Sequence, residues 1–435
     1  MKKKVLSIML VGALAFSMAA CGSSSDSETT TDDTTSAAAE TEDTSAEAET
    51  AETESSDSDS DGRTVITLFR SDDGNGAIEA AIEAFEASQD EYSVEWVVAS
   101  NDTDENRNIL NTALSAGSSE YDVMAIDTCW AGDMAAAGYI EPLDSYMQEA
   151  GRTQAEYNAG SLQAGTYSAK TYALPLYPDF GVLYFRSDIV SEEDAATLIS
   201  GDYTWADLQA MAESYMGTDG TSMGITFQAN QVEGLVCNAN EYTANFTDIE
   251  GGLQAMKNMV DSAATPDDIL VYQETETLNS YVNGETVFAR NWPYQWGNLT
   301  DETTVGQDQT EIAPLPGGSC IGGWLLAINA NSENKDGAWA LLDYLTVGEG
   351  QKIFCSVGGY VPGYNAYLED ADVLEANELL SKEGFLNALE NTIARPSSDN
   401  YDELSDALQI SIHTYLSGEA DLETTVSEVE ALLAE

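Results

Sequence analysis

The chain has 435 residues, and its 77 aspartates and glutamates against 15 lysines and arginines give a formal net charge of −62. This balance argues against nucleic-acid binding, because phosphates are bound by clustered basic side chains. A single histidine, His413, argues against a histidine-based metal centre or a Ser-His-Asp triad. We therefore expect no metal, no cofactor and no catalytic residue.

The first residues are typical of a bacterial lipoprotein signal. Lys2, Lys3 and Lys4 precede an apolar run over 5–20, which has the length of a signal-peptide core and is short for a membrane-spanning helix. Small residues then lead to Cys21, and this arrangement resembles a lipobox. The resemblance implies that residues 1–20 are removed and that Cys21 is lipidated. An ordinary secretory signal with an incidental cysteine is the alternative.

Residues 22–62 consist almost only of Ser, Thr, Asp, Glu and Ala, with no aromatic or basic residue. Such a segment cannot bury enough apolar surface to offset the entropy of ordering, and its like charges repel one another. We predict that residues 21–62 are a lipidated cysteine followed by a disordered acidic tether.

After Arg63 the chain alternates strand and helix periodicities. Strands are predicted at 65–69, 94–98 and 121–126, with helices between them that carry apolar residues at helical spacing. This order predicts a parallel sheet covered by helices, whose ligands bind beyond the carboxyl ends of the strands. Asp72, Asp102 and Asp127 each follow a predicted strand, so we expect them on one rim.

A second α/β region follows. Strands are predicted at 181–185, 286–290 and 324–328, and Thr204 with Asp207 is a capping-box variant that begins a helix. Further helices are predicted at 248–263, 272–283, 335–346, 401–417 and 421–433.

Three longer segments resemble the extracellular solute-binding proteins of ABC importers, of the maltose-binding type. They are YDVMAIDTCWAGDMAAAGYIEPLD at 121–144, YALPLYPDFGVLYFRSDI at 172–189 and GGWLLAINANSENKDGAWALLDYLTVGEGQK at 322–352. The trehalose/maltose-binding branch is the most similar, through NDTDENR at 101–107, PLYPDF at 175–180, RNWPYQW at 290–296 and ARPSSDNYDELS at 394–405.

The resemblance implies an α/β fold of two lobes, the type II periplasmic-binding-protein fold or Venus flytrap, with hinge crossings near 174–177, 321–324 and 346–350. The first lobe would comprise residues 63–174 and 325–347, and the second residues 175–324 and 348–435. The function implied is capture of a small sugar, a disaccharide of the maltose or trehalose type, and its delivery to the permease subunits of an ABC importer. The protein would act as a monomer on the extracellular face of the bacterial cytoplasmic membrane, held by its lipid alone.

The resemblance also implies the ligand residues, and their chemistry suits a sugar. Carboxylates accept hydrogen bonds from hydroxyls, a guanidinium donates several, and aromatic rings cover apolar C–H faces. The implied residues are Asp127, Asp179 and Arg395 for hydroxyls, Tyr177, Trp292 and Trp324 for ring faces, Gly322 for close approach of the backbone, and Asp102 and Thr103 on the rim of the first lobe.

Each of these residues has a structural alternative. Asp127 could cap the helix that follows it, Arg395 could pair with a surplus carboxylate, and the tryptophans and Tyr177 could pack in the core or at a crossing. Relatives in this branch carry an acidic ligand contact soon after the first strand, where this chain has DGNG at 73–76 and the aligned position is Gly or Asn. This departure leaves the identity of the sugar open.

Three other functions fit parts of the sequence. A glycosidase needs two carboxylates across a scissile bond, and this chain has many. A surface adhesin would need no cavity with aromatic rings and converging polar groups. A peptide or an anion could replace the sugar, although only Arg395 offers an obvious counter-charge to an anion.

Overall fold

The computed structural model describes residues 62–396 and 400–434. Within these ranges the chain is mixed α/β, as predicted. The strands are Thr64–Ser71 (β1), Tyr92–Ala99 (β2), Val123–Asp127 (β3), Thr166–Tyr167 (β4), Lys170–Thr171 (β5), Ala173–Phe180 (β6), Val182–Arg186 (β7), Met223–Thr226 (β8), Thr286–Asn291 (β9), Thr310–Ala313 (β10), Ser319–Ile328 (β11) and Thr392–Ile393 (β12).

The helices surround the sheets that these strands form. They are Ala77–Ser88 (α1), Thr103–Ser115 (α2), Ala131–Ala137 (α3), Asp144–Glu149 (α4), Ala159–Ala164 (α5), Glu192–Ser200 (α6), Trp205–Tyr215 (α7), Glu233–Tyr242 (α8), Ile249–Val260 (α9), Glu274–Val282 (α10), Gln295–Asn298 (α11), Lys335–Thr346 (α12), Glu349–Gly358 (α13), Ala371–Ala376 (α14), Glu383–Glu390 (α15), Tyr401–Leu416 (α16) and Leu422–Leu432 (α17). In the described ranges no helix is both long and apolar enough to cross a membrane.

The first sheet has the strand order β12-β11-β3-β1-β2, and β6 also pairs with β11. β1 pairs in parallel with both β2 and β3, which confirms the predicted parallel arrangement. β11 joins this sheet antiparallel to β3. Helix α1 packs on the sheet through Ile78 and Phe85, the apolar positions that its periodicity indicates.

The second sheet has the order β10-β7-β9-β8. β7 and β9 are antiparallel, and β8 and β9 are parallel. The helix α7 begins at the predicted capping box, in which Asp207 accepts from the backbone N–H and hydroxyl of Thr204. A separate core of apolar side chains from α7, α8, α9 and α16 packs around this sheet.

Two long strands connect the sheets. β6 belongs to the first sheet and continues through Gly181 into β7 of the second. β11 pairs antiparallel with β6 from Ile321 opposite Phe180 to Ala327 opposite Ala173. The predicted crossings near 174–177 and 321–324 lie inside these two paired strands.

The third predicted crossing, near 346–350, lies between the helices α12 and α13. Helix α13 follows α12 directly and packs against α1 and α12 of the first sheet. Its Phe354 ring stacks on Tyr360, and both contact Tyr177. Helix α13 also contacts α11, which follows β9, whereas α15 contacts β10 and α6. The apolar face of α13 is therefore buried mainly against α1 and α12.

Candidate functional site

A cavity of about 390 Å³ lies where β6 and β11 pass between the two sheets. Its volume falls within the range of about 300–1,000 Å³ that is usual for small-ligand sites. It is lined by residues of the first sheet, of the segment after β9 and of the helices α8 and α10. Of the residues that the sequence singles out, the lining includes Thr103, Asp127, Tyr177, Asp179, Trp292, Gly322, Trp324 and Arg395.

Strand register places one set of these residues side by side. Trp324 on β11 is opposite Asp127 on β3 and opposite Tyr177 on β6. Residues directly opposite one another in a sheet project from the same face, and residues two apart on a strand share that face. Asp179, opposite Gly322, therefore continues the same wall. We call these three strands the strand wall of the cavity.

The carboxylate of Asp127 binds the guanidinium of Arg395. Arg395 Nη2 donates to Asp127 Oδ1 at 2.5 Å and Nη1 donates to Oδ2 at 3.3 Å. Nη1 also donates to Oε1 of Glu233 at 3.0 Å, and Glu233 accepts from the hydroxyls of Tyr401 and Ser405. The two groups expected to bind hydroxyls thus pair with each other, and Arg395 joins the strand wall to α8.

This ion pair dominates the electrostatics at Asp127. Burial alone would raise the pKa of its carboxyl, but the charge and hydrogen bonds of Arg395 hold that pKa below its usual value. Asp127 Oδ1 also accepts from the backbone N–H of Cys129 at 3.1 Å. Asp127 thus holds the turn before α3 but does not cap that helix, whose N-cap residue is Trp130 and which has no side-chain cap bond.

Trp292 lines the cavity beyond the end of β9 and is held on several sides. Its Nε1 donates to Oε1 of Glu274 at 3.3 Å, and the guanidinium of Arg290 lies 4.1 Å from its ring centroid. A side chain at Gly322 would place its Cβ 3.0 Å from the Trp292 ring. The missing side chain of Gly322 therefore makes room for the indole, a reason that the sequence did not indicate. Trp296, in contrast, is a core residue that is 1% exposed.

Asp179 is buried in the strand wall and has no ion-pair partner among the residues that the structure describes. Its Oδ1 accepts from the backbone N–H of Phe180 at 3.0 Å. Burial raises the pKa of its carboxyl well above the usual value, since this bond and the nearby charge of Arg290 do not compensate for the lost hydration.

Tyr177 and Trp324 combine cavity lining with packing. The ring centroids of Tyr177 and Tyr360 are 4.4 Å apart. The rings of Trp324 and Trp130 meet edge-on, with their centroids 5.7 Å apart. Their positions are therefore fixed by neighbouring aromatic side chains before any ligand enters.

Asp102 is the one singled-out residue that does not line the cavity. It caps α2, accepting from the backbone N–H of Glu105, and its Oδ2 accepts from the amide of Gln273 at 3.1 Å. Thr103, next to it, does reach the cavity. Asp102 connects α2 to the segment before α10 at the edge of the site.

The structure adds lining residues that the sequence analysis did not single out. Helix α10 lines the cavity with one face, at positions 274, 275, 278 and 279. The spacing of these positions on a predicted helix is the sequence signal that could have identified them. Asp73, within the segment where the family pattern departs, also lines the cavity and pairs with Arg70 at 2.5 Å. The other additions used below are Glu233 and Tyr294, and Asp72, which was expected on the rim, lines the cavity as well.

The described residues contain no group of His, Cys, Asp and Glu side chains arranged to hold a metal ion. The site offers aromatic faces, carboxylates and one paired arginine. Its chemistry is that of recognising a polar, ring-shaped organic molecule.

Comparisons with known proteins agree with this chemistry. The model of a family described as bacterial extracellular solute-binding protein matches residues 71–352. A probable ABC transporter-binding protein of Deinococcus radiodurans is 28% identical over 371 residues, which cover 79% of this chain and 86% of that protein. A maltotriose-binding protein of Pyrococcus abyssi is 23% identical over 308 residues, 67% of this chain and 64% of that protein.

Solved structures share the fold. Maltose-bound MalE3 of T. maritima superimposes with a TM-score of 0.77 at 26% identity, over 85% of this chain and 99% of that one. The GacH receptor of Streptomyces glaucescens, solved unliganded and with acarbose, has a TM-score of 0.71 at 19% identity, over 85% and 98%. The expected two-lobe periplasmic-binding fold is confirmed.

Proposed function

As this chain belongs to the bacterial extracellular solute-binding protein family, we propose that it captures a small saccharide in the cavity between its lobes and delivers it to an ABC importer. The observation that carries this proposal is the lining of the cavity. Three aromatic rings, those of Tyr177, Trp292 and Trp324, share it with carboxylates that come from the first sheet and from the helices α8 and α10. Rings and hydrogen-bonding groups of this kind match the apolar faces and the hydroxyl rim of a sugar.

Each proposed lobe consists of one sheet and the helices that pack with it. The first contains the first sheet with α1, α12 and α13, and the second contains the second sheet with α8, α9 and α16. The chain would cross between them within β6, within β11 and between α14 and α15. A ligand held by residues of both lobes favours the closed arrangement, because only that arrangement makes all the contacts at once.

The volume of the cavity supports a ligand of one or two sugar rings. The T. maritima protein was solved with maltose, and the Pyrococcus abyssi relative is named for maltotriose. A disaccharide of the maltose or trehalose type is the proposed ligand, with Asp127, Asp179 and Thr103 on its hydroxyls and the three rings on its faces.

Delivery requires the protein to stay near the permease. We propose that Cys21 carries the lipid and that the acidic segment 22–62 is the tether, which would hold a monomer at the outer face of the cytoplasmic membrane. Both lie outside the described residues. If this holds, wild-type protein partitions with membranes and Cys21→Ala is unprocessed or released. Equal membrane association of the two forms would contradict the lipid anchor.

The proposal is tested by calorimetry and small-angle scattering of the purified protein with maltose, trehalose, maltotriose and their monosaccharides. We expect one sugar to raise the melting temperature by mass action and to reduce the radius of gyration. Binding without compaction would contradict closure of the lobes. The same bound sugar should remain intact on long incubation, and release of reducing ends would assign the site to a glycosidase instead.

A further inference from the structure

We propose that the saccharide taken by this cavity bears a protonated amine, which binds against the carboxyl groups of Asp179 and Glu274. This inference rests on the proposed function, because it names the class of saccharide for the same cavity. It goes beyond a neutral sugar of the maltose type and follows from the charges of the lining residues.

The cavity has more negative than positive charge. Arg395 is the one basic side chain among its described lining residues, and it is already bound to Asp127 and Glu233. Arg70, behind the lining, pairs with Asp73. The carboxylates that line the cavity are Asp72, Asp73, Asp127, Asp179, Glu233 and Glu274. Asp72, Asp179 and Glu274 are therefore left without an ion pair among the residues that the structure describes.

Asp179 lacks a partner that its position demands. The residue is 6% exposed, and its Oδ1 accepts from the backbone N–H of Phe180. In the described part of the chain, Oδ2 has no hydrogen bond, although the side chain lines the cavity. Since this oxygen is open to the cavity, a donor on the ligand can reach it, and we expect one there.

Glu274 lies beside the same indole as Asp179. Its Oε1 accepts from Trp292 Nε1, and the Trp292 ring approaches Gly322, which is opposite Asp179 in the sheet. Arg290 covers part of this ring, but its guanidinium is bound by Glu241 at 2.5 and 2.8 Å. The positive charge of Arg290 is thus already balanced, and the two carboxyls flank Trp292 unbalanced.

Three sources could supply the missing positive charge: a metal ion, a proton or the ligand. No metal-binding cluster exists in the described ranges. Burial raises the pKa of both carboxyls, so each holds a proton more readily than a free carboxyl does when the cavity is empty. The charged and titratable groups that face Asp179 are Arg290, Asp73 and Asp127, with the phenols of Tyr177, Tyr184 and Tyr294. An ammonium group would replace the proton and form charge-assisted hydrogen bonds.

The aromatic lining selects a saccharide among amines. The rings of Tyr177, Trp292 and Trp324 offer flat apolar faces, which an amino acid or a flexible polyamine would leave uncovered. A pyranose with one amine in place of a hydroxyl, free or within a disaccharide, uses both the rings and the unbalanced carboxyls.

Calorimetry of the full chain with matched saccharides tests this. The pairs are glucosamine with glucose, trehalosamine with trehalose, and chitobiose with N,N′-diacetylchitobiose, all at physiological ionic strength. In the pair that fits, we expect the amine member to bind about tenfold or more tightly than its neutral twin at pH 7. Its binding should release protons, seen as a heat that depends on the ionisation enthalpy of the buffer, and should weaken as the pH falls.

Variants separate the cavity from the acidic surface. Asp179→Asn should reduce the amine-to-neutral affinity ratio by about tenfold, and Glu274→Gln should reduce it less. Asp267→Asn removes the same charge at an exposed position outside the lining and should keep the ratio. If neutral members bind more tightly in every pair, or if the ratio survives Asp179→Asn, the inference is wrong while the proposed function stands. If no saccharide of either kind binds, both are wrong.

Discussion

The two walls of the cavity are built on different physical principles. On the strand wall, the pairing of β3, β11 and β6 fixes Asp127, Trp324 and Tyr177 through backbone hydrogen bonds. The opposite wall comes from α8, α10 and the segment after β9, and we call it the helix wall. There, buried ion pairs fix the side chains: Arg290 with Glu241 and Arg395 with Glu233.

Because of this difference, we expect substitutions on the two walls to have different effects on ligand affinity and on protein stability. A side chain on the strand wall can be truncated while the backbone ladder that positions its neighbours remains. On the helix wall, removing one partner of a buried pair leaves an unbalanced charge and also releases the residues that the pair holds in place. Substitutions should therefore leave the neighbouring side chains in place on the first wall and displace them on the second.

The largest effect is expected for Glu241→Ala. Glu241 is fully buried, and besides both bonds to Arg290 it accepts from the backbone N–H of Cys320 at 3.1 Å. Its removal leaves a buried guanidinium uncompensated and should lower the free energy of unfolding by about 3–5 kcal/mol in urea denaturation. Asp406→Ala, at an ion pair whose carboxylate is 57% exposed, is the control and should cost about 1 kcal/mol or less. Equal losses in the two variants would contradict the stabilising role of the buried pair.

The next effect concerns Trp292, which stacks on the helix wall. Trp292→Ala should weaken sugar binding by about ten- to a hundredfold, because a large ring face and the positioning of Glu274 are lost together. Trp339→Ala removes the same ring from a stack on Tyr146 outside the cavity, and calorimetry should show unchanged affinity. If both variants bind alike, Trp292 is not a ligand contact.

The strand wall was largely predictable from sequence, for a reason that its residues make plain. Asp127 ends a buried apolar strand. Ligands of α/β sheets bind beyond the carboxyl ends of the strands, and this rule made Asp127 a candidate ligand residue. Tyr177 and Trp324 came from the family resemblance and lie in the paired strands that connect the sheets. Opposite residues on paired strands share a face, so the register brings Asp127, Trp324 and Tyr177 together.

The helix wall was predicted only in part, because its charges act through distant partners. Glu233 opens α8, and nothing in its local sequence shows that Arg395 will meet it 162 positions later. The same holds for Arg395 itself, whose pairing with Asp127 across the cavity depends on tertiary packing. The same limit applies to residues 348–435, which were given to the second lobe from the family resemblance alone, because no local pattern there shows what helix α13 packs against.

A double-mutant cycle measures the link between the walls. Asp127→Ala and Arg395→Ala should each weaken binding by about ten- to a hundredfold, as expected for hydrogen bonds to charged groups. Since the two groups bind each other, the double variant should lose less than the product of the single losses. The control pair is Asp127→Ala with Trp339→Ala, which should be additive. Additivity in the first pair would show that Arg395 serves the ligand independently of Asp127.

The smallest effect is expected at the contact between α2 and α16, and it depends on pH. Asp104 on α2 accepts from Gln409 on α16 at 3.2 Å, and burial raises the pKa of its carboxyl to about 6. The unfolded value is about 3.9, so between pH 4 and 6 the folded state binds the proton more tightly. The contribution of Asp104 to stability therefore falls as the pH rises through this window, by about 1 kcal/mol once partial solvent contact is allowed for. Asp104→Asn should remove this fall, so that the variant gains stability over wild type between pH 4 and 7 in urea denaturation. Asp406→Asn, exposed on the same helix contact, should follow the wild-type curve, and an Asp104→Asn curve parallel to wild type would show that this contact is not sensitive to the proton.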